Sequence, residues 1–206
     1  LHPRVRRQRQ MCIRDRWKNG WPVAGEVFKE GTYEIESERR GYALELAVDF
    51  VRMEYTRHRF WEKDDTPVVP LKPQTLEDVI GTWPQGKINV RISDYMFRPH
   101  QKWTITAVPD GGGYLGGPYY KIVIEGTNRA LAATAGAEIV TVPEFTGAPE
   151  QLWRIDQLTD GTYRIMPKKV PGTDKELVLV SVGDSTPSLG IFDMNSDNSK
   201  WNFRDH

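Results

Sequence analysis

Few side chains in this sequence are spaced so that they could do chemistry together. Glu62, Asp64 and Asp65 form a group of acids, and two carboxylates about 5 to 10 Å apart across a cleft are what glycoside hydrolysis requires. Adjacent acids in a loop are, however, usually a solvated face. His58 and His100 have no Cys, His or acid at metal-ligand spacing, and no Ser-His-Asp arrangement is present. Cys12 is the single cysteine, so the region that follows it has neither disulfide nor thiol chemistry. The glycine run Pro109-Asp-Gly-Gly-Gly113 would cradle a phosphate only ahead of a helix, whereas Tyr119-Tyr-Lys-Ile-Val-Ile124 has the pattern of a strand. The expectation is a chain without catalytic residues, metal or cofactor.

What must be positioned instead is a repeat. Gln101-Lys-Trp103 recurs as Gln151-Leu-Trp153 and, with serine first, as Ser199-Lys-Trp201, the tryptophans being 50 and 48 residues apart. Aromatic-x-Ile strands, Tyr33-Glu-Ile35, Tyr120-Lys-Ile122 and Tyr163-Arg-Ile165, precede them. Second apolar runs follow each of these strands: Ala43-Leu-Glu-Leu46, Ala130-Leu-Ala-Ala133 and Leu177-Val-Leu-Val180. Each unit is thus about four short strands joined by Gly, Pro, Asp and Asn turns. One unit cannot cover its own apolar face, so three must close around a shared core, which removes exposed edges. The predicted fold is all-β, a β-trefoil. Period-two alternation points Trp103, Trp153 and Trp201 inward, and Gln101 and Gln151 are expected to bond the backbone of a neighbouring turn.

These residues resemble the ricin B-type lectin family, carbohydrate-binding module family 13, whose hallmark is a threefold Gln-x-Trp repeat. The stretch Thr127-Asn-Arg-Ala-Leu131 through Gln151-Leu-Trp-Arg-Ile155 to Asp160-Gly-Thr-Tyr-Arg-Ile165 is most similar to its cysteine-poor bacterial branch. The resemblance implies that a sugar is held by an acid in the second strand, an aromatic platform and a polar residue before the Gln-x-Trp. Glu45 occupies the acidic place in the first unit, but Ala132 and Leu179 stand there in the other two. The platforms fall on Phe145, beside Glu144, and on Phe192, with Asp193 and Asn195 as acceptors. Alternatives from other classes are a trefoil protease inhibitor acting through exposed loops and a degenerate trefoil of purely structural role.

Domain limits follow from the same spacing. Tyr33 to Trp103 spans 70 residues against 33 and 38 in the other units, so the first unit carries an insertion of some 35 residues at about 49–87. Pro67, Pro70, Pro73 and Pro84 forbid long helices there. Residues 31–206 are read as the trefoil. Residues 1–16 hold six arginines without hydrophobic period, and Met11-Cys-Ile-Arg-Asp-Arg16 resembles translated sequencing adapter, so they are set aside as non-native or disordered. Beyond them 22 basic residues face 27 acidic ones, which argues against a nucleic-acid partner. No apolar run approaches the length of a membrane span.

Residues 17–30 contain Gly20-Trp-Pro-Val23, similar to a stretch near the end of the five-bladed propeller in arabinanase-type family 43 glycoside hydrolases. That similarity implies a terminal strand or linker from an upstream catalytic domain that would carry the catalytic carboxylates. The expected role is a secreted, periplasmic or cell-surface binding module for plant-type oligo- or polysaccharide of arabinan or galactan type, with that domain as its partner.

Overall fold

A computed structural model describes residues 16–18, 21–23, 27–49, 75–114 and 117–205. The expectations for residues 1–15 and for His58, Glu62, Asp64 and Asp65 lie outside the described residues. Strands β1 (Arg16–Lys18) and β2 (Trp21–Val23) pair antiparallel with each other, Lys18 opposite Trp21, in a ribbon separate from the main sheet.

The main body has three units of four strands. The first is β3 (Gly31–Ser37), β4 (Ala43–Leu46), β5 (Ile88–Ser93) and β6 (Trp103–Tyr114). The second is β7 (Gly117–Ile124), β8 (Ala130–Ala133), β9 (Ile139–Val142) and β10 (Trp153–Gln157). The third is β11 (Tyr163–Pro167), β12 (Val178–Val182), β13 (Thr186–Gly190) and β14 (Trp201–Asp205). First and fourth strands pair around a closed ring: β3 with β6, β6 with β7, β7 with β10, β10 with β11, β11 with β14, and β14 with β3. The middle strands form three hairpins, β4–β5, β8–β9 and β12–β13. Backbone bonds join them to one another, from Ile92 N–H to Ser185 O and from Leu189 N–H to Ala137 O. A six-stranded barrel capped by three hairpins is a β-trefoil, as the threefold repeat predicts.

The repeat positions make the core. Trp103, Trp153 and Trp201 are wholly buried, as are Ile35, Ile122 and Ile165 from the first strands and Leu44, Leu131 and Leu179 from the second. Each indole Nε1 donates across the unit to the carbonyl of that second-strand leucine, at 2.8 Å to Leu44, 2.9 Å to Leu131 and 2.8 Å to Leu179. A buried N–H needs such a partner, so one tryptophan per unit both fills volume and ties the fourth strand to the hairpin. At the opposite mouth of the barrel Phe28 inserts among Tyr33, Tyr120, Tyr163 and Phe203, with ring centroids 5.2, 5.8, 5.6 and 4.6 Å away. Tyr33 and Tyr120 donate to the carbonyls of Lys29 and Phe28, both at 2.8 Å, and so anchor the entering chain.

Two features are not marked by the repeat. The glycine run Pro109–Gly113 continues the β6 ladder to Tyr114 through a bulge after Val108. Gly112 at φ +88° supplies the left-handed residue, and a Cβ on Gly113 would stand 2.9 Å from Gly117 O, so only glycine lets the strands meet there. The described end of the insertion also folds on the trefoil itself. Thr75 and Asp78 close a capping box on the short helix α1 (Leu76–Gly81), Trp83 is buried, and Arg129 of the second unit donates to Pro84 O and Gly86 O at 3.0 and 2.8 Å.

Candidate functional site

The residues before each Gln-x-Trp form a loop that the glutamine holds. Gln101 Oε1 accepts from Met96 N–H at 2.8 Å and Arg98 N–H at 3.3 Å, while its Nε2 donates to Asp94 O at 2.8 Å and Glu45 Oε2 at 2.6 Å. Gln151 Oε1 accepts from Thr146 N–H at 2.7 Å, and Ser199 Oγ donates to Asp193 O at 2.9 Å. Gln101 and Gln151 are buried, and the Oε1 of each accepts from the backbone of its loop. They shape the loop rather than face a ligand.

In the first unit that loop presents Tyr95, Met96 and Phe97. Phe97 is 77% exposed and Met96 56%, and the Tyr95 and Phe97 rings lie 4.8 Å apart at 57°. Phe97 has φ 56°, in the left-handed region that a bulky side chain disfavours. Counting four residues back from the glutamine, the same place in the second unit is Gly147, at φ +79°. Glycine adopts that conformation freely in the second unit, whereas the first unit has a phenylalanine there, held out in water. Tyr95, six residues before Gln101, corresponds to Phe145, six before Gln151. Counting back from Gln101 would have found it.

Glu45 does not face solvent. It is 2% exposed, and it accepts from Arg91 Nε at 2.5 Å and Gln101 Nε2 at 2.6 Å, with His100 Nε2 3.3 Å from Oε2. Burial alone would raise its pKa, but the hydrogen bonds and charges of His100 and Arg91 hold it below the usual carboxylate value. The expectation that Glu45 grips a sugar directly is corrected: it is the buried post on which Arg91 and Gln101 rest.

Phe192 likewise differs from the expected open platform. It is 9% exposed and packs with Leu158, Met166 and Val178, with the Arg164 guanidinium 5.1 Å from its ring centroid. Its neighbours Asp193 and Asn195 are exposed, and Asp193 Oδ1 accepts from Asn195 N–H at 2.9 Å. In the second unit Glu144 is exposed, and Phe145 is half-buried with Lys121 Nζ 5.6 Å from its ring centroid. Exposed aromatic surface is thus gathered in the first unit rather than in the second and third. Among the described residues no three His, Cys, Asp or Glu side chains gather to hold a metal ion, and no helix is long and apolar enough to cross a membrane.

Residues 99–186 match the family described as ricin-type beta-trefoil lectin domain-like. No curated protein matches the chain. Among solved structures it is similar to a mosquitocidal holotoxin, at 14% identity and TM-score 0.57, over 87% of this chain and 18% of the toxin. The designed threefold-symmetric protein ThreeFoil is similar at 19% identity and TM-score 0.55, over 86% of this chain and all (100%) of that one. A lectin of Polyporus squamosus, bound to the human-type influenza-binding epitope Neu5Aca2-6Galb1-4GlcNAc, is similar at 17% identity and TM-score 0.52, over 87% of this chain and 50% of the lectin. At such identities the likeness establishes the fold, and the chain spans less than a fifth of the holotoxin and half of the fungal lectin. The threefold barrel and the Gln-held loops are those of a β-trefoil, and residues 99–186 are similar to the ricin-type lectin-like family.

Proposed function

We propose that this domain binds oligosaccharide on the Tyr95–Phe97 surface of its first unit. The observation that carries the reading is Phe97, a ring 77% exposed on a backbone position suited to glycine. Left-handed backbone costs a non-glycine residue roughly 1 to 2 kcal/mol, and strain of that kind concentrates at functional sites. The exposed Phe97 ring, backed by the half-buried Tyr95, stacks well on the C–H face of a pyranose, while the half-exposed Arg91 and the exposed Asp94 supply a donor and an acceptor for hydroxyls. Rigidity comes from below, because Glu45 fixes Arg91 and Gln101, and Gln101 fixes the loop.

In this reading the ligand is a neutral oligosaccharide of arabinan, arabinogalactan or galactose type, bound at about millimolar strength by a single site. The module would serve a family 43 glycoside hydrolase outside the cytoplasm, its catalytic domain preceding Gly20-Trp-Pro-Val23. That motif, and the β1–β2 ribbon standing apart from the trefoil sheet, support the link. Calorimetric titration with such oligosaccharides tests the site. Binding should be lost in Phe97→Ala and kept in Asn195→Ala. An unchanged affinity in Phe97→Ala, or no heat at about 10 mM ligand, would sink the proposal.

A further inference from the structure

The β11–β12 connection is longer than its two counterparts. Residues 168–177 link these strands, whereas 38–42 and 125–129 suffice in the first and second units. The extra length encloses a cleft of about 270 Å³ against β7 and β10, distant in sequence from the Tyr95–Phe97 loop. Arg154 lines it, with Tyr119 and Met166 as apolar wall and Lys168, Lys169 and Lys175 on the long loop.

The charge of this cleft is the notable quantity. Arg154 and Arg164 are buried, and both bond the same carboxylate, Asp156. Arg154 reaches it at 2.9 Å from Nε to Oδ1 and 2.5 Å from Nη2 to Oδ2; Arg164 reaches Oδ2 at 3.1 and 3.0 Å. Asp156 thus bonds two guanidiniums, and charges so far from water are costly unless paired in this way. Burial lowers the Arg164 pKa, which is the same cost seen from the other side. The loop adds Lys168, Lys169 and Lys175 against Asp174 and Glu176. Four cations lining the cleft, Arg154, Lys168, Lys169 and Lys175, face two acids, Asp174 and Glu176, a basic concavity in a chain that, beyond residue 16, has 22 basic and 27 acidic residues. Lys168 is held at the rim, donating to Gly111 O at 2.6 Å with its Nζ 5.1 Å from the Tyr119 ring centroid.

We infer that this cleft is a second binding site, one that takes an acidic sugar residue. A carboxylate or sulfate group on the sugar meets the lysines beside Arg154. Asp174 and Glu176 accept from its hydroxyls, and the Tyr119–Met166 wall meets its apolar edge. A free anion would use the cations alone; a sugar uses the acids and the wall as well.

The test is titration of the full chain at low salt with trigalacturonate, a neutral galactotriose and inorganic sulfate. Trigalacturonate should bind, weakening as ionic strength rises to about 0.3 M, and the exposed double variant Lys169→Glu/Lys175→Glu should lose at least about tenfold in affinity. Phe97→Ala should leave this binding unchanged, which separates its failure from that of the first-unit platform. Equal binding of the neutral trisaccharide in competition with trigalacturonate, or full affinity in the charge-reversed variant, would overturn the inference. Sulfate binding as tightly as trigalacturonate at the same site would overturn its sugar part and leave an anion site. Retained thermal unfolding of the double variant shows that any loss is not misfolding.

Discussion

Replacing Phe97 by alanine and by glycine separates backbone strain from the ring that imposes it. Both variants lose the contact with Tyr95, 4.8 Å between centroids, worth about 0.5 kcal/mol at so exposed a site. They differ only in how they tolerate φ 56°. At an ordinary surface position alanine is the more stable by roughly 0.5 to 1 kcal/mol, because glycine loses more freedom on folding. Here a left-handed conformation costs alanine roughly 1 to 2 kcal/mol and glycine almost nothing, so the order should invert, with glycine ahead by about 0.5 to 1 kcal/mol. The second unit supplies the reciprocal change. Gly147 sits at the same place with φ +79°, and a Cβ there would meet nothing within 4 Å, so Gly147→Ala isolates the backbone penalty and should cost about 1 kcal/mol. Urea unfolding followed by the fluorescence of the buried tryptophans reads all three as midpoint shifts at constant slope. If Phe97→Ala proves as stable as Phe97→Gly, the position is unstrained and the case for a functional platform loses its main support.

Two further outcomes follow from the core and from the barrel wall. Trp153→Ala should cost about 3 to 5 kcal/mol from lost volume, with a further cost of about 1 kcal/mol because Leu131 O loses its donor, and a folded variant of near-native stability would refute the core role of the repeat. Glu34, buried on β3, has its pKa pushed up to about 7 by burial first, then by sharing a proton with Glu36. A carboxyl that binds its proton more tightly when folded contributes stability fully present below about pH 4.5 and lost as pH rises through about 7. The free energy of unfolding should therefore fall across that window by at most about 3 kcal/mol, read from denaturant titrations at several pH values, and Glu34→Gln should flatten the decline.

The trefoil was legible because its repeat marks bonds as well as apolar positions. A tryptophan at a constant distance behind an aromatic-x-Ile strand had one place to go, and its N–H one leucine carbonyl to reach. The sites were legible only in part. Glu45 reads the same in sequence whether it faces water or holds Arg91, since nothing local to Ala43–Leu46 announces Arg91 or His100, each more than forty residues away. Phe192 beside two polar residues looks like a platform until Leu158, Met166 and Val178, from three separate segments, are seen to cover it. Phe97 carries no such mark, because a backbone angle is not written in a residue type. The Arg154–Asp156–Arg164 cluster was half visible: alternation places Arg154 and Asp156 on one face of β10, but Arg164 joins them only through the β10–β11 register, where Asp156 stands opposite it.

The closure of the barrel between β14 and β3 joins the described polypeptide's first trefoil strand to its last. Tyr33 stands opposite Asp205 and Ser37 opposite Trp201, antiparallel, so residues 31 and 205 emerge side by side. A force that draws those two points apart enters this ladder at one end and loads its hydrogen bonds one after another, as a zipper is opened, rather than all at once in shear. Each other pair of neighbouring barrel strands is bridged by covalent connections within the chain, so the domain yields along one line and resists around the rest of its circumference.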